Sequence, residues 1–467
     1  MPGTPVGEAP GRGRRVLTGS ATRSLGNAVY AFISLLTGAV VARRLGPNGK
    51  GFSSTMSYLA ALGWTLAAAG LGDAAVVLVQ SGRATFDRAI RATVAALLLT
   101  GSVVAVLGFA VGALLYSSLP DDLLMPLLAL ALSVVFGTVV LVGCLVLEGR
   151  GQLIYSTVVR VAVATSTLAA TLVLIQRWWL TGAMAALAFG WAIGAVLVVF
   201  GLRAEGANFR PRWDGAYLAS ALRFGMHVQV AQLLLVLAAR VDLVILQAVR
   251  GADAVGLYSV AISMASIVAF APSALSSATY PVIASLPRPE AISYTFRAAR
   301  LSGAAAVVLA AAMCVLIPFV TPLAFGTDFG SSVAPALGLL PGVVFFSVQL
   351  TLTRARAAAG APRLLVASFG TTLVTMIVVD LLLIPPLGLS GAVLASVGSS
   401  AAGAAVAVAG CWRAWKPECS LLVLVPRPRD VWELVMSPRE LLRGPARTQE
   451  ATVSESTPDP PAHRLGR

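Results

Sequence analysis

Charge is scarce in this sequence. Asp, Glu, Lys and Arg make up 12% of its residues, about half of the ~25% usual in soluble domains, which excludes a water-soluble globular protein. Histidine is nearly absent (His227 and His463), and the four cysteines, Cys144, Cys314, Cys411 and Cys419, show no CxxC spacing. Neither a metal site nor a disulfide framework follows from them. Long polar connections are missing as well. The longest (73–92, 203–221 and 281–300) leave no room for a folded aqueous domain, which argues against a membrane glycosyltransferase or polymerase. The basic leader runs into its first apolar stretch without a short hydrophobic core and a small-residue cleavage site. The first span is therefore expected to stay as an uncleaved anchor.

What remains is 57% hydrophobic over 467 residues, with a mean hydropathy of +0.85. Crossing a bilayer takes ~20 apolar residues per helix, and in lipid the backbone must be satisfied within the helix. Runs of that kind cover 25–41, 52–72, 93–116, 123–147, 155–175 and 182–202, then 222–246, 256–280, 301–320, 331–352, 364–384 and 389–411. The fold class is thus an all-α polytopic membrane protein of about twelve transmembrane helices. The chain divides into a basic leader (1–24), a six-helix lobe (25–202), an inter-lobe loop (203–221), a second six-helix lobe (222–411) and a Pro-, Arg-, Ser- and Glu-rich tail (412–467). The tail composition predicts disorder, and "DVWELVM" (430–436) a short segment on the membrane surface.

The net charge of +14 would suggest nucleic acid in a soluble protein, but its placement is topological. With the N-terminus inside, 27 of the 34 Lys and Arg fall in the leader, the alternate connections and the tail. Five fall on the other side (Arg43, Arg44, Lys50, Arg177, Arg250) and two within spans (Arg160, Arg240). Positive residues are retained in the cytoplasm, so both termini are expected there, and no nucleic acid is expected as a partner.

The stretch "RRLGPNGKGFSS" (43–54) resembles a phosphate-binding loop at first sight, but only two residues separate Gly46 from Gly49, and Gly51 stands where a magnesium-binding hydroxyl belongs. It reads instead as an outer turn whose glycines supply backbone freedom. It is also repeated. Gly46 and Gly51 recur as Gly251 and Gly256, a shift of 205; "LTGAMA" (180–185) recurs as "LSGAVL" (389–394), a shift of 209; and Gly149 recurs as Gly360, a shift of 211. Two halves of six spans share one orientation, as parallel repeats around an axis along the membrane normal.

At "ARRLGPNGKG" and "RVDLVILQAVRGADAVGLYSVAISMA" the chain resembles the polysaccharide flippases, the Wzx-like branch of the multidrug/oligosaccharidyl-lipid/polysaccharide exporter superfamily. "FGTDFGSSVAPALGLLPGVVF", "AAAGAPRLLV" and "IPPLGLSGAVLAS" extend the resemblance over roughly residues 20–411. It implies two six-helix lobes around a central cavity and the flipping of undecaprenyl-diphosphate-linked oligosaccharide by alternating access, without catalysis and without a cofactor. It also implies polysaccharide polymerase and glycosyltransferases as partners in the same route. A cation-coupled drug antiporter of the same superfamily is the alternative.

Charges inside a bilayer usually face a bundle interior or a water-filled cavity. Arg240 and Asp242, ~200° apart on their helix, are substrate-cavity candidates, and in the resemblance they match positions where the family often has Arg and Asp. Gln229 and Gln232 continue a polar stripe on that helix, with Gln247 beyond Arg240; lining a cavity or bonding a neighbouring helix are both open to it. Arg160 is placed to meet a diphosphate from the cytoplasmic side, or to snorkel. Asp73, Asp380 and His227 are candidates for ion coupling, with capping or interface roles as the alternative. Arg43, Arg44 and Lys50 are candidates for an outer mouth that eases release of an anionic head. Trp178 and Trp179 read as an outer aromatic belt.

Overall fold

The computed structural model describes residues 12–115 and 124–415. The tail beyond 415, including 430–436, lies outside the described residues. Among the described residues eleven α-helices follow one another: α1 (Arg12–Ala68), α2 (Leu71–Gln80), α3 (Phe86–Leu115), α4 (Leu124–Gly149), α5 (Leu153–Ala204), α6 (Gly215–Ser266), α7 (Phe270–Ser285), α8 (Arg288–Phe325), α9 (Val333–Ala358), α10 (Arg363–Leu387) and α11 (Leu389–Trp415).

Among the described residues nine helical stretches are long and apolar enough to span a membrane, and three of them, of 55, 52 and 50 residues, are long enough to span it twice. Each of the three is broken near its middle. Gly46 departs from helical geometry in α1, Trp178 and Trp179 in α5, and Gly251 in α6. The chain doubles back at these points. The Lys50 ammonium comes within 3.6 Å of where a side chain on Gly38 would begin, the Tyr155 hydroxyl donates to the Leu197 carbonyl at 2.7 Å, and that of Tyr258 donates to Asp242 at 2.7 Å. A straight helix would hold each pair ~18 Å or more apart. Three double crossings and six single ones make twelve.

The reversals are tighter than the turns expected from sequence. In the reversals of α1 and α6 a single residue leaves the helix, Gly46 and Gly251 respectively, with φ/ψ of 65°/−174° and 80°/−178°, a conformation L side chains avoid. Gly51 and Gly256 are not turn residues at all. They sit in the returning helices, where a Cβ on Gly51 would lie 1.8 Å from the Ala252 carbonyl oxygen and one on Gly256 would lie 1.9 Å from that of Pro47. The contact is reciprocal, because Pro47 and Ala252 are also 205 residues apart. Gly182 and Gly391 repeat the pattern, each with its Cβ position 2.2–2.3 Å from the carbonyl oxygen eight residues earlier, on Leu174 and Leu383.

The first six crossings pack as one lobe and the last six as the other, joined along α1 and α6. Lipid offers no hydrophobic drive for helices to associate, so close packing and interhelical hydrogen bonds must hold them. One core cluster, including Leu246, Tyr258, Ile317, Phe325 and Ile384, fills the second lobe and takes in Ala42 and Tyr58 of α1; two others, around Met56 with Leu130 and around Val159 with Val198, fill the first. The connections at 81–85, 150–152 and 205–214 share one side, here called the basic face, and the Gly46 and Gly251 turns lie on the opposite face. On the basic face, Asp214 caps α6 through the Tyr217 amide and takes two hydrogen bonds from Arg88, at 2.6 and 3.0 Å. Those bonds draw its carboxyl down to about 2. The inter-lobe loop is thereby fastened to the first lobe, with Arg91 donating to the Arg210 carbonyl nearby.

Candidate functional site

A cavity of about 900 Å³ lies between the lobes in the half of the molecule next to the basic face. The first crossing lines it with Asn27, Tyr30 and Ser34, α5 with Arg160 and Trp191, and the end of α6 and start of α7 with Ser263, Ser266 and Ser273. Trp64 completes the wall and packs on Trp191 with ring centroids 4.5 Å apart. Gly137 makes that position possible, since a Cβ there would meet the Trp64 ring at 2.5 Å.

Arg160 is the cation of this wall. Its guanidinium donates to Glu148 at 2.7 Å, and the Ser156 hydroxyl donates to the same oxygen at 3.2 Å. The arginine keeps 35% of its side chain exposed and the glutamate only 11%, so the cation faces the open space and the acid stands behind it.

On the opposite face the lobes meet. Beside the reciprocal Gly51–Ala252 and Gly256–Pro47 contacts, the Asn48 amide donates to Asp253 at 3.1 Å. Arg43 crosses from the first lobe to donate to the Ala324 carbonyl at 2.8 Å, and to that of Leu323. It thereby caps the end of α8, where a cation suits the helix dipole. Arg250 treats the end of α10 likewise, donating to the carbonyls of Pro385 and Ile384.

The sequence candidates divide accordingly. Arg160 lines the cavity. Gln229 does not: it is buried and donates to the Thr65 carbonyl at 2.6 Å, fastening α6 to α1, as Thr55 and Gln247 do at 3.4 Å. Gln232 is exposed and outside the cavity wall. Arg240 lies between the cavity and the opposite face, within electrostatic reach of Asp242, Tyr258 and Tyr58. Lys50 is buried there too, within reach of Arg240, rather than standing at an outer mouth. Arg43 and Arg44 are both exposed, and Arg43 is occupied by the α8 cap.

Asp242 turns away from the cavity into the second lobe. It is buried and accepts from Tyr258 at 2.7 Å and from the Leu243 amide at 2.9 Å. Asp380, within its electrostatic reach, is fully buried, and neither carboxylate oxygen has a hydrogen-bond partner among the described residues. A buried acid without a donor is costly to keep, which makes this pair a second candidate site. Asp73 sits in the first turn of α2, close to Glu148. His227 is on α6, but its side chain lies outside the described residues. Sequence reasoning missed Glu148, Trp64 and Trp191. Trp64 and Trp191 stand in apolar runs and Glu148 just beyond the end of one, and each has its partner more than ten residues away in sequence.

The fold is shared with solved transporters. An inward-facing multidrug resistance MATE family transporter of the MOP superfamily matches with a TM-score of 0.68 at 14% identity, over 85% of this chain and 98% of that one. An outward-facing structure of a MATE family transporter of the same superfamily gives 0.63 at 14%, over 87% and 96%, and a mutant MATE transporter from Vibrio cholerae gives 0.61 at 13%, over 88% and 98%. No curated protein matches the chain. The family model described as polysaccharide biosynthesis protein matches residues 40–334, more than half of the chain. This multi-pass membrane protein, a twelve-helix, two-lobe chain that shares its fold with those transporters, belongs to the polysaccharide biosynthesis protein family.

Proposed function

We propose that the chain flips undecaprenyl-diphosphate-linked oligosaccharide from the inner to the outer leaflet of a bacterial inner membrane, by alternating access and without chemistry on the substrate. The basic face is the cytoplasmic one, as its arginines require. The observation that carries the reading is the pairing of a cavity on that side with a closed opposite face, together with the graded placement of cations between them. Arg160 meets the diphosphate on entry by charge-assisted hydrogen bonds, and the Trp64–Trp191 pair offers sugar rings an aromatic wall. Once the opposite face parts, Arg240 and Lys50 take the anion onward. Each cation offsets part of the cost of taking a diphosphate out of water. An inside-negative membrane potential assists, by about 2.3 kcal/mol per charge per 100 mV if the whole field is crossed.

The buried Asp242–Asp380 pair favours cation coupling, a proton or a monovalent ion entering between the two acids as the lobes rearrange. The same pair is what a drug antiporter of this framework would use, and it supports that second reading. Deleting the gene separates the two. Undecaprenyl-linked repeat units should accumulate on the cytoplasmic side while surface polysaccharide falls. Altered drug sensitivity with an unchanged lipid-linked pool would overturn the flippase reading in favour of the antiporter.

A further inference from the structure

A second cavity, of about 880 Å³, lies on the basic face between the lobes and shares no lining residue with the first. Its walls come from the end of α2, the turn after it, the first turn of α3 and the first turns of α6. Three guanidiniums, those of Arg83, Arg88 and Arg223, line it together with the hydroxyls of Ser81 and Ser220. Two acids nearby are already engaged. Asp214 is held by Arg88 and the Tyr217 amide, and Asp87 pairs with Arg91 at 3.5 Å. Arg83 is exposed and has no acid partner among the described residues.

The level of this cavity is that of lipid headgroups. The spanning stretches end at Gln80 and begin again at Phe86, and the first-lobe wall of the cavity, from Val77 to Arg88, straddles those two limits. Apolar residues share its wall, with Val77, Leu78 and Phe224 among them, and Trp213, Leu222 and Met226 are exposed along the same part of the chain. Clustered guanidiniums and hydroxyls above exposed aliphatic and aromatic groups suit a ligand with an anionic head and apolar tails standing in the leaflet. Planar guanidiniums bind phosphate oxygens bidentately.

We infer that this cavity binds the phosphate headgroup of an anionic glycerophospholipid of the leaflet at the basic face, and that the bound lipid ties α2 and α3 of the first lobe to α6 of the second. The site is distinct from the transport cavity and stands whichever substrate that cavity carries.

The test uses the full chain in nanodiscs of phosphatidylcholine, with or without phosphatidylglycerol, read by native mass spectrometry and thermal unfolding. Phosphatidylglycerol should be retained on the protein and raise the unfolding midpoint. The Arg83→Gln/Arg223→Gln variant should retain it about thirtyfold less, with an unchanged midpoint in phosphatidylcholine alone; Arg83→Gln by itself should give an intermediate loss. Equal retention of both lipids by the native chain, or undiminished retention by the variants, would overturn the inference. So would inorganic phosphate raising the midpoint in phosphatidylcholine discs as much as phosphatidylglycerol does, since the site would then take a free anion.

Discussion

Asn48 and Asp253 meet at 3.1 Å across the boundary between the lobes, and they are the same position of the repeated half, 205 residues apart. Equivalent residues touch only where they straddle the pseudo-two-fold axis, so this hydrogen bond locates the axis on the opposite face. Around it Gly51 meets Ala252 as Gly256 meets Pro47. Closure of that face is thus a symmetric contact between two turns, and opening requires that all of it part together.

Enlarging either helical glycine should therefore hold the opposite face apart. Gly51→Val and Gly256→Val each drive a side chain into a carbonyl oxygen, and overpacking of this kind costs about 1–3 kcal/mol. The closed population should fall by about one to two decades. Disulfide formation between cysteines placed at 48 and 253, in a chain whose native cysteines are replaced, should fall in parallel while membrane insertion is unchanged.

Arg160 should be needed for export through its charge rather than its packing. Arg160→Ala should lower export by about tenfold or more, the worth of one charge-assisted bond. The double variant Arg160→Ala/Glu148→Ala, which leaves no buried acid unpaired, should insert normally and still fail to export. Normal export by the double variant would remove Arg160 from the path. Arg240→Ala should also reduce export while leaving membrane insertion intact.

Asp380 should trade stability for coupling. Neither of its oxygens is hydrogen-bonded among the described residues, so Asp380→Leu should raise stability by about 1–3 kcal/mol. Transport by the variant should lose its response to an imposed ion gradient. The check is thermal unfolding beside transport in vesicles with and without a gradient.

Asp214 predicts an acid limit. The hydrogen bonds from Arg88, and then that from the Tyr217 amide, hold its carboxyl at about 2, below the ordinary value of 3.8. A carboxyl depressed in the folded state contributes stability above its unfolded pKa and loses it as pH falls through the folded value. This contribution should be complete above pH 3.8 and fade toward pH 2. Asp214→Asn should remove that part of the pH dependence and loosen the inter-lobe loop, seen as faster hydrogen exchange at 205–214.

The span count, the alternation of arginines and the repeat were legible because each is written locally, as apolar length, charge position or a recurring glycine. The glycines were legible as a repeat but not by role. Gly46 and Gly251 have to turn and Gly51 and Gly256 have to pack, and nothing in "LGPNGKG" separates the two demands. The reversal at Trp178 and Trp179 carries neither Gly nor Pro, with Trp179 at φ 48°, and it showed only as a break between apolar runs. Of the site, Arg160 was visible as a charge inside a span. Its acid Glu148 sits beside an interhelical turn and reads as ordinary surface charge, and the pairing of Trp64 with Trp191, far apart in sequence, exists only once the helices pack. Gln229 looked like a cavity residue for the same reason, because a polar stripe does not say which neighbour it will bond.

Alternating access through the Asn48–Asp253 axis is tested most directly by locking it. Proteoliposomes carrying the chain with cysteines at 48 and 253, and no others, are loaded with a fluorescent undecaprenyl-diphosphate oligosaccharide, and arrival of the glycan at the far leaflet is read by cleavage with an added glycosidase. Oxidation should stop flipping and reduction should restore it to the unlocked rate. Flipping that continues at full rate with the disulfide formed would contradict the account.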